Sequence, residues 1–167
     1  EKLAGLDIEI SEQSIIEEAE SILNLAALYI EALEFFSPRA VILSCYYGLA
    51  SMAMCLACRQ RSIPIYDLQH GRLGPYHGMY TDFSFRPKNG YQLLPDAVLC
   101  WGQRTVDDIG RQTGTSEPAL KAICLGNAWV SKWAGGNEFL IPEKADDELK
   151  SLVGGRKIVL VTLQPIK

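Results

Sequence analysis

Only two histidines occur in this chain of 167 residues. No Gly-x-Gly-x-x-Gly turn follows its first strand signal, which disfavours a nicotinamide-dependent dehydrogenase. No uncharged apolar run approaches the roughly 20 residues that a membrane span needs, because the longest candidate, residues 40–58, divides into a strand, a glycine turn and a helix. Positive charge is not in excess either. A net charge of −4 gives no global attraction for nucleic acid or for an anionic membrane, so any phosphorylated ligand must be held locally. The five cysteines, Cys45, Cys55, Cys58, Cys100 and Cys124, are odd in number and mostly set in apolar runs, which argues against a disulfide framework and for a reducing compartment. The opening residues do not have the pattern of a secretory leader, and the cytoplasm is the expected location. Cys55 and Cys58 have the spacing of a redox pair but fall within a predicted buried helix, away from any helix N-terminus that would stabilise a thiolate.

What the chain does have is an apolar content of 48% with 22% charged residues, the composition of a folded domain with a sizeable core. Ser14-Ile15-Ile16-Glu17 has capping-box spacing, and Ile15, Ala19, Ile22, Leu23, Ala26, Ile30 and Leu33 recur at helical intervals until Ser37-Pro38, which predicts a long amphipathic helix. Short apolar runs at residues 40–45, 63–68, 96–102 and 121–127 read as strands. Helical patterns at 48–61 and 103–113 lie between them. Continuous rather than alternating apolar strands, separated by helices, predict an α/β, Rossmann-like parallel sheet with helices on both faces.

Residues 134–156, with Gly135-Gly136, Pro142, an acidic run over 143–148 and Gly154-Gly155, read as a linker around one short helix. The run at 157–164 is the strongest strand signal in the chain and reads as the first strand of a second domain. The expected organisation is a domain over 1–133, incomplete at its start, then a linker over 134–156, then the opening of a second domain over 157–167. On this reading the chain is a fragment of a larger protein.

Both histidines fall within one stretch, Asp67-Leu68-Gln69-His70-Gly71-Arg72-Leu73-Gly74-Pro75-Tyr76-His77-Gly78-Met79-Tyr80, directly after a strand signal. A strand running into a loop of Gly, His, Tyr and Asp is how an open α/β sheet builds a ligand site at the carboxyl ends of its strands. The chemistry is expected there.

The order of Asp67-Leu68-Gln69-His70-Gly71, Pro95-Asp96-Ala97-Val98-Leu99-Cys100-Trp101-Gly102, Leu125-Gly126-Asn127, a linker and Lys157-Ile158-Val159-Leu160-Val161 resembles the amino-terminal half of GT-B glycosyltransferases of bacterial surface-polysaccharide synthesis. CDP-glycerol glycerophosphotransferase relatives share the His-Gly turn. The most specific element is Gln69-His70-Gly71 followed by Pro75, His77 and Tyr80. A departure falls after Asn127, where Ala128-Trp129-Val130-Ser131 stands in place of the Pro and Asp often found in the family. The resemblance implies a half-domain that holds a glycan or lipid-linked acceptor, while a nucleotide-sugar donor binds mainly to a carboxyl-terminal domain. It also implies an inverting displacement that needs no metal or other cofactor, and an isolated fragment without activity. Peripheral association with the inner face of the membrane is compatible with it.

Within that resemblance His70 suits the role of base, since an imidazole with a pKa of about 6.5 accepts a proton near neutral pH. Asp67 would orient an imidazole or raise its basicity. Gln69, Gly71, Arg72, Tyr76, His77 and Tyr80 are the candidate substrate contacts, with Arg72 suited to a phosphate or carboxylate and the tyrosines to stacking on sugar rings. Gly71 and Gly74 would let the backbone approach a ligand or take positive φ. His77 is the reserve base. A histidine after a buried strand also fits a purely structural hydrogen-bonding role. Two further functional readings stay open from the same residues: a sugar-nucleotide epimerase or hydrolase of similar two-domain plan, and a non-catalytic Rossmann-like binding module.

Overall fold

The computed structural model describes residues 11–83, 87–88, 90–111, 119–134, 147, 151 and 154. The chain divides into two compact units, Glu1–Asn127 and Ala128–Lys167. The strand signal at 157–164 and most of the linker lie outside the described residues.

The first unit opens with α1 (Glu12–Phe36), whose cap lies one turn earlier than the capping-box spacing predicted. Ser11 takes an extended conformation and its hydroxyl accepts from the Ser14 N–H at 3.0 Å. At the other end Ser37 turns left-handed (φ 45°) and its N–H bonds to the Leu33 carbonyl, which stops the helix before Pro38. Of the expected apolar stripe, Ile22, Ala26 and Leu33 are buried, whereas Ile15 and Leu23 are exposed.

Next come β1 (Val41–Leu43), α2 (Leu49–Gln60), β2 (Ile65–Leu68), the single turn α3 (Gly78–Thr81), β3 (Ala97–Cys100), α4 (Gln103–Gly110) and β4 (Lys121–Cys124). The strands form one four-stranded sheet in the order β1-β2-β3-β4 with every pair parallel, so the chain has the expected α/β, Rossmann-like fold. Pro64 falls just before β2, where it gives up no ladder donor and its carbonyl accepts from the Val41 N–H at 2.9 Å. The second unit contributes α5 (Ala128–Ala134).

Register fixes the two faces of the sheet. Val41, Leu43, Ile65, Asp67, Val98, Cys100, Ala122 and Cys124 share one face, because partners across a ladder point the same way and side chains alternate along each strand. Both hydrophobic clusters draw their strand residues from this face. One packs α1 and α2 over β1 and β2 around Ala53, Cys55, Cys58 and Ile65. The other gathers Tyr46, Leu73, Tyr80, Leu94, Val98, Cys100, Ile109 and Leu120 over β3 and β4.

Of the two helical layers expected, the described residues show one. Consecutive strands laid down in one direction with right-handed crossovers put α2 and α4 on the same side. The opposite face carries Ile42, Tyr66, Leu68, Leu99 and Ile123, of which Ile42 is 62% and Ile123 47% exposed. No described helix is long and apolar enough to cross a membrane.

Candidate functional site

The histidine-bearing loop leaves the carboxyl end of β2, and two buried polar residues fix its root. Asp67 has no exposed surface, although it sits in a strand among apolar neighbours. A carboxylate so placed must be hydrogen-bonded, and it is. It accepts from the Cys45 N–H at 2.9 Å, the Tyr46 N–H at 3.4 Å and the Tyr80 hydroxyl at 2.7 Å. Asp67 thereby joins three segments: β2, the β1–α2 turn and α3. The turn is strained, since Cys45 holds φ at 72° without being glycine, and the bond to Asp67 is what secures that conformation.

Gln69 is 5% exposed and its side-chain amide is hydrogen-bonded at both its oxygen and its nitrogen. Its backbone N–H donates to Leu99 O at 3.0 Å, extending the ladder to β3. Its Oε1 accepts from the Trp101 N–H at 2.7 Å and its Nε2 donates to Gly71 O at 2.8 Å. The carboxyl ends of β2 and β3 are latched together through one side chain.

Beyond this root the loop is held by rings. Tyr46, Tyr47, His77 and Tyr80 meet edge to face or tilted, with centroids of 5.3 Å for Tyr46–Tyr80, 5.7 Å for Tyr47–His77 and 4.9 Å for His77–Tyr80. The Tyr46 hydroxyl donates to the Met79 carbonyl, and the one proton of the Thr81 hydroxyl is shared between the carbonyls of Pro75 and His77, each 3.1 Å from Oγ1. Burial, followed by the neighbouring Asp67 carboxylate, pushes the phenols of Tyr80 and Tyr46 far above the usual tyrosine range.

The sequence-predicted residues therefore divide into two groups. Asp67, Gln69 and Tyr80 are buried with their polar atoms taken by the protein, and His77 is half-buried in the ring cluster. His70, Arg72 and Tyr76 are exposed, Tyr76 at 97%. Among the described residues His70 has no hydrogen-bond partner and Arg72 no ion pair. Gly71 and Gly74 do not take the positive φ that the sequence allowed; a Cβ at either position would meet nothing within 4 Å.

The roles of Cys45, Tyr46 and Trp101 escaped the sequence reading. The signal for them was Asp67 itself, an acid embedded in an apolar strand, which demands donors from elsewhere in the chain.

Other candidates resolve simply. Burial pushes the Cys55 thiol up to about 12 and the Cys58 thiol up to about 11, so neither is a thiolate at neutral pH. No group of three or more His, Cys, Asp or Glu among the described residues is arranged to hold a metal. A cleft lined by Arg59, Ser62, Ile65 and Asp96 opens at the amino ends of β2 and β3, away from the loop. Its charged groups serve the backbone: Arg59 donates to Leu94 O at 3.0 Å and Asp96 accepts from the Ile65 N–H at 2.9 Å.

No family model and no curated protein matches the chain. Among solved structures, the chain is similar to Staphylococcus aureus MnaA in its co-structure with UDP, at 18% identity and a TM-score of 0.43 over 86% of this chain. The chain spans 35% of the length of that protein.

Proposed function

We propose that this chain is the acceptor-side half of a nucleotide-sugar enzyme of the GT-B type, part of a longer polypeptide, and that the reaction is transfer of a sugar to a glycan or lipid-linked acceptor. The observation that carries this reading is the state of His70. It stands exposed and, among the described residues, without a hydrogen-bond partner at the carboxyl end of a parallel strand, on a loop whose root is fixed by Asp67 and Gln69. A free imidazole on a rigid base is what proton removal from an acceptor hydroxyl requires, because proton transfer needs a basic atom held at hydrogen-bonding distance from the attacking oxygen.

In this mechanism the acceptor hydroxyl lies against His70. His70 takes its proton as the oxygen attacks the anomeric carbon and the nucleoside diphosphate departs with the bonding electrons. Arg72 faces the phosphates or an acidic acceptor group, and Tyr76 and Gly71 face the sugar. Asp67, Gln69 and Tyr80 act at one remove, by holding the loop, and His77 supports it through Tyr47 and Tyr80.

The test is a transfer assay on the full-length protein, with a panel of nucleotide sugars supplied with and without acceptor, reading released nucleotide. Acceptor-dependent release is expected. His70→Ala should reduce it by at least about 100-fold while shifting stability by no more than about 0.5 kcal/mol. Epimerised or hydrolysed sugar without acceptor would move the assignment to the epimerase or hydrolase reading, and turnover of His70→Ala within a few-fold of wild type would remove His70 as the base.

A further inference from the structure

Cys100 closes β3 and Cys124 closes β4, and the two are direct partners across the parallel ladder. Neighbouring strands lie about 4.8 Å apart, within the span of about 4.4–6.8 Å that a disulfide accepts between its α-carbons. Partnered residues put their Cβ atoms on the same face of the sheet. The two thiols differ in access: Cys124 is exposed on the edge strand, while Cys100 is fully buried. Both are free thiols here.

We propose that Cys100 and Cys124 form a reversible cross-strand disulfide when the protein meets a hydroperoxide. The exposed Cys124 is the sulfur that reacts first. Its thiolate attacks the peroxide, the O–O bond breaks, an alkoxide or hydroxide leaves, and Cys124 becomes a sulfenic acid. The Cys100 sulfur then attacks the Cys124 sulfur. The S–O bond breaks, the S–S bond forms, and water leaves with the thiol proton of Cys100. Two electrons pass from the pair of thiols to the peroxide.

Burial favours this division of labour. It pushes the Cys100 thiol up to about 11, so Cys100 holds its proton until a sulfenic acid forms beside it. Cys100 also lacks the solvent access that direct oxidation needs.

The bond would lie one residue before Trp101, whose N–H is held by Gln69, and one residue before Leu125, whose N–H bonds to Cys100 O at 2.8 Å. Closing it draws together the β3 and β4 ends that border the loop root. A bridge with one sulfur exposed on the edge strand is also open to reductants, which suits a transient modification better than a permanent brace.

The deciding experiment treats the folded protein with hydrogen peroxide, quenches in acid, alkylates the remaining thiols and maps the peptides without reductant. The expected result is a peptide pair joined through Cys100 and Cys124, with Cys45, Cys55 and Cys58 alkylated and the bridge removed by dithiothreitol. In Cys124→Ser, whose changed side chain is exposed, Cys100 should stay reduced at the same peroxide dose. Three results would overturn the proposal: Cys124 carried on to sulfinic acid with Cys100 alkylated, Cys124 joined to a second molecule, or both thiols recovered unreacted.

Discussion

Asp67 ties three segments of the fold together through one buried carboxylate. A carboxylate with no exposed surface and no lysine or arginine among its bonded partners is tolerable only because two backbone N–H groups and a phenol supply three donors. Asp67→Ala leaves those donors unmatched and should lower unfolding stability by about 3 kcal/mol in urea titration. Tyr80→Phe removes one donor and leaves the rest, at about 1.5 kcal/mol. Combining the two should cost less than their sum, since they share the bond, and full additivity would mean that the contact contributes nothing.

At the scale of elements, the loop after β2 is rigid at its root and open at its tip. Gly71 lies at the junction, has ordinary φ and faces empty space. Gly71→Ala should therefore leave the thermal midpoint within a degree or two of wild type. A large drop in substrate affinity with that midpoint preserved would show that a ligand comes close to this backbone. Gln69→Ala acts on the other side of the junction. It frees the Trp101 N–H and the Gly71 carbonyl and should cost about 1–3 kcal/mol. Faster amide exchange at Trp101 than at Val98 would localise the loss to the strand ends. The same element shows the reach of the sequence reading. Histidines, glycines and tyrosines after a strand marked the loop, but which of them turn inward depends on the β1–α2 turn, about 20 residues earlier in the chain.

For the whole molecule, pH and burial give two further expectations. The phenols of Tyr46 and Tyr80 lie above the ordinary tyrosine value, so the folded state binds their protons more tightly than the unfolded chain does. Their contribution is whole below about pH 10 and is lost as pH rises beyond it. The urea midpoint should fall between pH 9 and pH 11, and Tyr80→Phe should flatten part of that fall. The second expectation concerns the two faces of the sheet. Val98→Ala, on the packed face, should destabilise the protein by about 2 kcal/mol, whereas Ile42→Ala, on the open face, should cost about 0.5 kcal/mol or less. Equal costs would mean that the face carrying Ile42 is covered.

The sequence by itself determined the class of fold. Short, continuously apolar strands alternating with helical patterns have few solutions other than a parallel sheet, and each of the four β segments and the crossover helices α2 and α4 lie where local periodicity put them, whereas the single turn α3 falls in a stretch that reads as loop. It also determined where to look for chemistry, because two histidines in one glycine-bearing loop after a strand is a local pattern. Tertiary structure decided the rest. That Gln69 and Asp67 face the protein while His70 faces out follows from side-chain alternation at the end of β2 and from donors supplied by Cys45, Tyr46, Tyr80 and Trp101. That Cys100 and Cys124 stand side by side follows from ladder register. Local sequence carries periodicity and turn chemistry, whereas burial and hydrogen-bond partnership belong to pairs of segments that meet only when the sheet forms.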